Sequence, residues 1–116
     1  MSTESQKPSI GARIAELIGE HFGPMVVREK LVADGFRAFE INDALAAVDP
    51  ARWREAARAR LLATYGDPEG YDIAKKSHTF RDLRRRGFQE RLIRELVYPE
   101  MLGLDAPFEV ITKPNL

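Results

Sequence analysis

Eight cations crowd into the stretch from Ile73 to Val97: Lys75, Lys76, Arg81, Arg84, Arg85, Arg86, Arg91 and Arg94. Only Asp82, Glu90 and Glu95 oppose them there, a local balance of +5. A guanidinium donates in pairs from a rigid planar fork, which suits carboxylates and phosphates alike. On a helix, Arg81, Arg84 and Arg85 share one side by i, i+3, i+4 spacing, and Arg91 and Arg94 pair by i, i+3. The chemistry this pattern supports is capture of an anionic partner. A solvated face balanced by the three acids is the plainer reading, yet surface ion pairs contribute only ~0–1 kcal/mol and leave the excess unexplained. The remaining segments are less basic: Met1–Pro50 balances to −3, Ala51–Asp72 carries four charges of each sign, and Tyr98–Leu116 balances to −2.

Other reactive residues form no catalytic pattern. His21 and His78 lie far apart in sequence. Ser77 adjoins His78, but neighbouring residues on a helix point in different directions and make no nucleophile–base pair. Asp67, Glu69 and Asp72 cluster without the spacing of a calcium loop and read as turn and cap residues. Trp53 and Tyr65 fit an apolar helical ridge with Ala57 and Leu61 rather than a stacking platform. No catalytic residue, metal site or cofactor is expected; the chain reads as a binding protein, not an enzyme.

The element that must carry the cations occurs twice. Leu31-Val32-Ala33-Asp34-Gly35-Phe36, followed by Ile41 and Leu45, is matched 52 positions later by Leu83-Arg84-Arg85-Arg86-Gly87-Phe88, followed by Ile93 and Val97. Glycine tolerates the left-handed conformation that ends a helix, and the next apolar residue folds back onto that helix. The unit is helix, glycine stop, helix, and such a period points to stacked helices sharing a core.

The helical pattern predicts an all-α chain of six helices in two tandem three-helix repeats with an extended C-terminal tail. Residues 1–9 read as a disordered tail and 10–48 as the first repeat. Its helices run from Ile10 to Phe22, from Met25 to Asp34, and from Phe36 to about Val48. Residues 49–98 read as the second repeat. There Asp49 caps a helix from Pro50 to Tyr65. Gly66–Gly70 is a loop, and two helices run from Ile73 to Arg86 and from Gln89 to Tyr98. Residues 99–116 read as a tail in which Pro107–Thr112 runs extended, Phe108 and Val110 on one side, docked on the repeats or on a second subunit.

Composition bounds the class. The 116 residues carry 18 basic and 18 acidic side chains, so no global field draws the molecule to nucleic acid or membrane. Without cysteine there are no disulfides, thiolate metal sites or cysteine nucleophiles. No apolar run approaches the roughly 20 residues of a membrane span. Met1–Ser9 is polar and does not read as a signal peptide. The expected location is cytoplasmic, and the expected state a monomer or weak dimer.

These residues resemble a known family. Phe22-Gly23-Pro24, Leu31, Gly35-Phe36, Ile41 and Ala44-Leu45 are similar to the middle repeat of RecX regulatory proteins. Ala59-Arg60, Tyr65-Gly66-Asp67-Pro68, Phe80, Leu83, Arg85-Arg86-Gly87-Phe88 and Ile93 are similar to that family's final repeat, which typically carries a helix ending in an Arg-Arg-Gly-Phe-like turn. The similarity spans roughly Ile10 to Val97, without the family's N-terminal repeat. It implies tandem three-helix repeats and a non-enzymatic inhibitor of recombination and SOS-type DNA repair that docks on a RecA-type recombinase filament. The basic residues named above would meet the partner, with DNA phosphates as a further contact. Two alternatives stay open: a small helical inhibitor of another nucleoprotein complex, phage-borne for instance, or a helix-turn-helix-like nucleic-acid binder.

Overall fold

A computed structural model describes residues 8–99, and they are helical, with no strand among them. The helices are α1 Ile10–Gly19, α2 Pro24–Ala33, α3 Ala38–Ala46, α4 Pro50–Tyr65, α5 Ile73–Arg85 and α6 Glu90–Val97, with a 3-10 turn at Pro68–Gly70. The expectations for the N-terminal tail up to residue 7 and for the tail from residue 100, Pro107–Thr112 included, lie outside the described residues.

Local chemistry sets most of the starts. Ser9 Oγ accepts the Ala12 N–H at 3.1 Å, and the Glu40 carboxylate accepts the Arg37 N–H at 3.0 Å. Asp49 accepts the Ala51 N–H at 2.9 Å, and Asp72 the Lys75 N–H at 2.8 Å. Each carboxylate or hydroxyl takes a donor that the first helical turn leaves unpaired. Asp67 accepts from Glu69 N–H at 3.0 Å, which winds the expected loop into one 3-10 turn.

Three helix ends share one geometry. In α2 the Phe36 N–H reaches the Leu31 carbonyl at 3.2 Å and the Gly35 N–H reaches Val32 at 3.0 Å. In α5 the Phe88 N–H reaches Leu83 at 3.1 Å and the Gly87 N–H reaches Arg84 at 3.0 Å. This paired arrangement closes a helix when the residue before the aromatic is left-handed, as Gly35 (φ 97°) and Gly87 (φ 100°) are. The third case was not foreseen. His21 adopts φ 67°, and the Phe22 N–H turns back to Leu17 at 3.2 Å. Helix α1 therefore ends at Gly19, short of the expected Phe22. A non-glycine residue in this region costs about 1–2 kcal/mol, so His21→Gly is expected to raise stability by about 1 kcal/mol in urea unfolding.

The core runs through both three-helix sets: Ile14, Leu17, Ile18, Val27, Leu31 and Ile41 from α1–α3, and Ala57, Leu61, Leu83, Phe88, Ile93, Leu96 and Val97 from the second set. Helix α1 packs on α4, α2 on α3, and α5 on α6. Of the expected α4 ridge, Ala57 and Leu61 are fully buried, whereas Trp53 and Tyr65 are partly exposed. Trp53→Ala is accordingly expected to cost about 2 kcal/mol in denaturant unfolding, below the ~3–5 kcal/mol of a fully buried ring.

The two sets also meet backbone to backbone. The Gly23 N–H donates to the Arg86 carbonyl at 2.8 Å, and the Met25 N–H to the Gly87 carbonyl at 3.1 Å. Free donors at the start of α2 thus satisfy free acceptors at the end of α5, positive helix end against negative. The approach requires two glycines. A Cβ on Gly23 would lie 2.5 Å from the Gly87 carbonyl carbon, and one on Gly87 would lie 2.5 Å from the Val26 nitrogen.

Candidate partner-binding face

Helices α5 and α6 carry the eight basic residues, and the structure divides them into groups with different work. Arg81, Arg84 and Arg85 stand exposed on the outer side of α5, opposite the buried Leu83. Arg84 and Arg94 both pair with the Glu90 carboxylate, at 3.1 and 3.3 Å. One carboxylate therefore holds two guanidinium groups, one from each helix, on a shared surface. Arg81 donates to Ser77 Oγ at 3.1 Å, one turn back along α5. Four of the expected residues, Arg81, Arg84, Arg85 and Arg94, form this outer patch. The α5–α6 packing and the left-handed turn at Gly87 bring the two helices into register.

The other four are employed elsewhere. Lys75 donates to the Tyr65 carbonyl at 3.3 Å and lies 5.3 Å from the Tyr71 ring centre, covering the C-terminus of α4. Lys76 lies 5.3 Å from the Tyr98 ring. Arg91 is exposed on α6 but borders a cleft rather than the patch. Arg86 turns inward. Its Nε donates to the His21 carbonyl at 2.8 Å and its second nitrogen to the Glu20 carbonyl at 2.6 Å, with the guanidinium 4.4 Å from the Phe22 ring. It closes the end of α1 from the other three-helix set, because those carbonyls have no intrahelical donor. Burial, with Arg60 nearby, pushes its pKa down from the ordinary arginine value.

Asp82, read from sequence as a partner for surface arginines, is instead buried. Its carboxylate takes a two-point contact from Arg60 of α4, at 2.9 and 3.2 Å. Burial alone would raise the Asp82 pKa, but the hydrogen bonds and charge of Arg60 win and hold it below the usual carboxylate value. Tyr65 moves the other way, its hydroxyl raised by burial and by Asp82. The first set has its own brace of this kind: Arg13 of α1 contacts Asp34, at the end of α2, at 2.7 Å. In both sets an arginine of the first helix clamps an aspartate of the second. Spacing of about 21 or 22 residues between each arginine and its aspartate was the available signal.

Between α3, α4 and α6 lies an open cleft of about 610 Å3. Pro24, Leu45, Val48, Trp53 and Leu92 supply apolar walls, while Arg54, Arg91 and Glu95 stand at its polar edge. Arg54 and Glu95 form an ion pair between α4 and α6. Met25, Val32 and Phe39 are also exposed, each by about three-fifths.

Elsewhere the chemistry is structural. His78 meets the Tyr65 ring edge-on at 5.5 Å between centres, and His21 forms the turn after α1. Among the described residues no group of three or more His, Asp or Glu side chains is placed to hold a metal ion. Among them, too, no helix is long and apolar enough to cross a membrane. Comparison with known proteins adds no relative: no family model, no curated protein and no solved structure matches the chain at significance.

Proposed function

We propose that this chain is a RecX-like regulatory binding protein that docks on a RecA-type recombinase filament and lowers its activity. The observation that carries the reading is the paired Leu-x-x-x-Gly-Phe turn, which ends α2 and α5 with one geometry and sets an arginine patch on the outer face of the second set. Two units of like construction suit a polymeric partner, whose own subunits repeat. The patch supplies electrostatic steering toward an anionic partner surface, while the close Gly23–Gly87 approach joins the two sets backbone to backbone. A guanidinium pair oriented by Glu90 loses little side-chain entropy when it meets a carboxylate or a phosphate. The protein acts by occupying a surface; no residue on it is assigned a covalent or proton-transfer step.

Co-sedimentation with RecA–DNA filaments tests this reading. Arg84→Glu with Arg85→Glu is expected to lower affinity about tenfold or more while the helical circular dichroism spectrum is retained, since reversing charges at a complementary surface costs at least ~1.4 kcal/mol. Affinity of the unaltered protein is expected to fall as salt is raised. Affinity that survives the double reversal removes this face from the interaction. If pull-down from host extract recovers another nucleoprotein as the dominant partner, the recombinase assignment fails while the face stands.

A further inference from the structure

The outer sides of α2 and α5 hold corresponding positions and carry opposite chemistry. Gly35 and Gly87 lie 52 positions apart and end the two helices with one geometry, and α2 packs on α3 as α5 packs on α6. Carried across that offset, Glu29 corresponds to Arg81, Val32 to Arg84 and Asn42 to Arg94, and all six are exposed. One face is apolar and acidic where the other is cationic. We propose that the α2–α3 face is a docking surface for a second copy of this chain, which presents its α5 arginine face to it.

The first face is built from two short stripes. On α2, Met25, Glu29 and Val32 follow i, i+4, i+7 spacing on the side away from the buried Val27 and Leu31. On α3, Phe39 and Asp43 are one turn apart and exposed. The Arg28 guanidinium donates to Asn42 Oδ1 at 2.6 Å and joins the two stripes. Arg28 stands one turn before Val32 and Asn42 one turn after Phe39, so this contact sets Val32 and Phe39 on a shared surface. Large apolar side chains gathered on one surface, rather than scattered singly, mark an interaction site.

Charge selects the occupant. Glu29 and Asp43 are exposed and form no ion pair among the described residues, and Met1–Pro50 as a whole balances to −3. An arginine face answers both parts of this surface, because guanidinium forks pair with carboxylates and their planes stack on an aromatic ring such as Phe39. Every copy of the chain carries such a face on α5, in Arg81, Arg84 and Arg85. Ile73, 84% exposed, lies about three turns before Arg84 on the same side and adds an apolar residue to it. Both faces stand open in the single chain, so neither covers the other. Pairing between copies brings opposite potentials together. It also takes up the patch assigned above to the recombinase, so the two contacts compete. The inference rests on the two faces alone, and its test contains neither recombinase nor DNA.

Sedimentation equilibrium of the full chain by itself is that test. The mass is expected to rise above the monomer with protein concentration at low ionic strength, and to fall back toward the monomer as salt is raised. Val32→Ser with Phe39→Ser removes the apolar face, and Arg84→Glu with Arg85→Glu removes the arginine face. Each variant is expected to stay monomeric where the unaltered chain associates, with its helical circular dichroism spectrum retained. Mixed in equal amounts, the two variants supply one intact face of each kind, and a dimer containing one chain of each is expected to form. An unaltered chain that stays monomeric at low salt overturns the proposal without recourse to any variant. So does undiminished association of either variant, or a mixture in which no dimer forms.

Discussion

Gly87→Ala is expected to destabilise the protein by about 3–5 kcal/mol in urea unfolding, combining a left-handed backbone that a Cβ strains with a clash that the opposing chain cannot relieve. The clash is with backbone: the new Cβ would stand 2.5 Å from the Val26 nitrogen, and moving that nitrogen breaks the Met25 contact with the Gly87 carbonyl. Gly35→Ala is the informative comparison. Gly35 ends α2 with nearly the same φ, 97° against 100°, so the left-handed strain by itself should cost only about 1–2 kcal/mol there. Gly23→Ala isolates the remaining part, because Gly23 has an ordinary φ of −91° and meets the Gly87 backbone at 2.5 Å. Equal losses at Gly35 and Gly87 would show that the junction yields readily.

Asp82→Ala is expected to cost about 2–4 kcal/mol, toward the lower part of the range for breaking a buried pair because Arg60 keeps some access to water. Removing the carboxylate strands the Arg60 guanidinium. Asp82→Asn keeps the shape and separates charge from packing. The pH dependence has a definite sign. Arg60 holds the folded-state pKa of Asp82 below its unfolded value. The stability this contributes is complete above the unfolded carboxylate pKa of about 3.9 and is lost as pH falls through the lower folded value. The gap between wild type and Asp82→Asn should therefore be constant at neutral and mildly acid pH and narrow below about pH 4. A gap that widens on acidification would contradict the assignment.

What could be read in sequence was what local backbone chemistry dictates. Asp49-Pro50 and Asp72 announced their helices because a cap and a proline act within a few residues. The Gly-Phe turns at Gly35 and Gly87 were legible because a left-handed stop favours glycine. The same logic hid the turn at His21, where the residue type gives no warning and a partner from another helix set, Arg86, holds the conformation. Arg86 shows the same limit from the other side. Its role is set by carbonyls 65 and 66 positions away, and no charge pattern marks a backbone acceptor. Counting charges placed Arg86 on the partner face and Asp82 on the surface; burial separates them from Arg81, Arg84, Arg85 and Arg94. Trp53 fitted a helical ridge, yet the cleft beside α6 leaves it partly open, because a ridge specifies a direction and not what stands opposite.

The most direct test of the proposed role is titration of the protein into a recombinase, single-stranded DNA and ATP hydrolysis assay. The account predicts a saturable fall in hydrolysis that the Arg84→Glu, Arg85→Glu variant delivers only at about tenfold higher concentration or more. Hydrolysis that stays unchanged at large molar excess of the folded protein would contradict it.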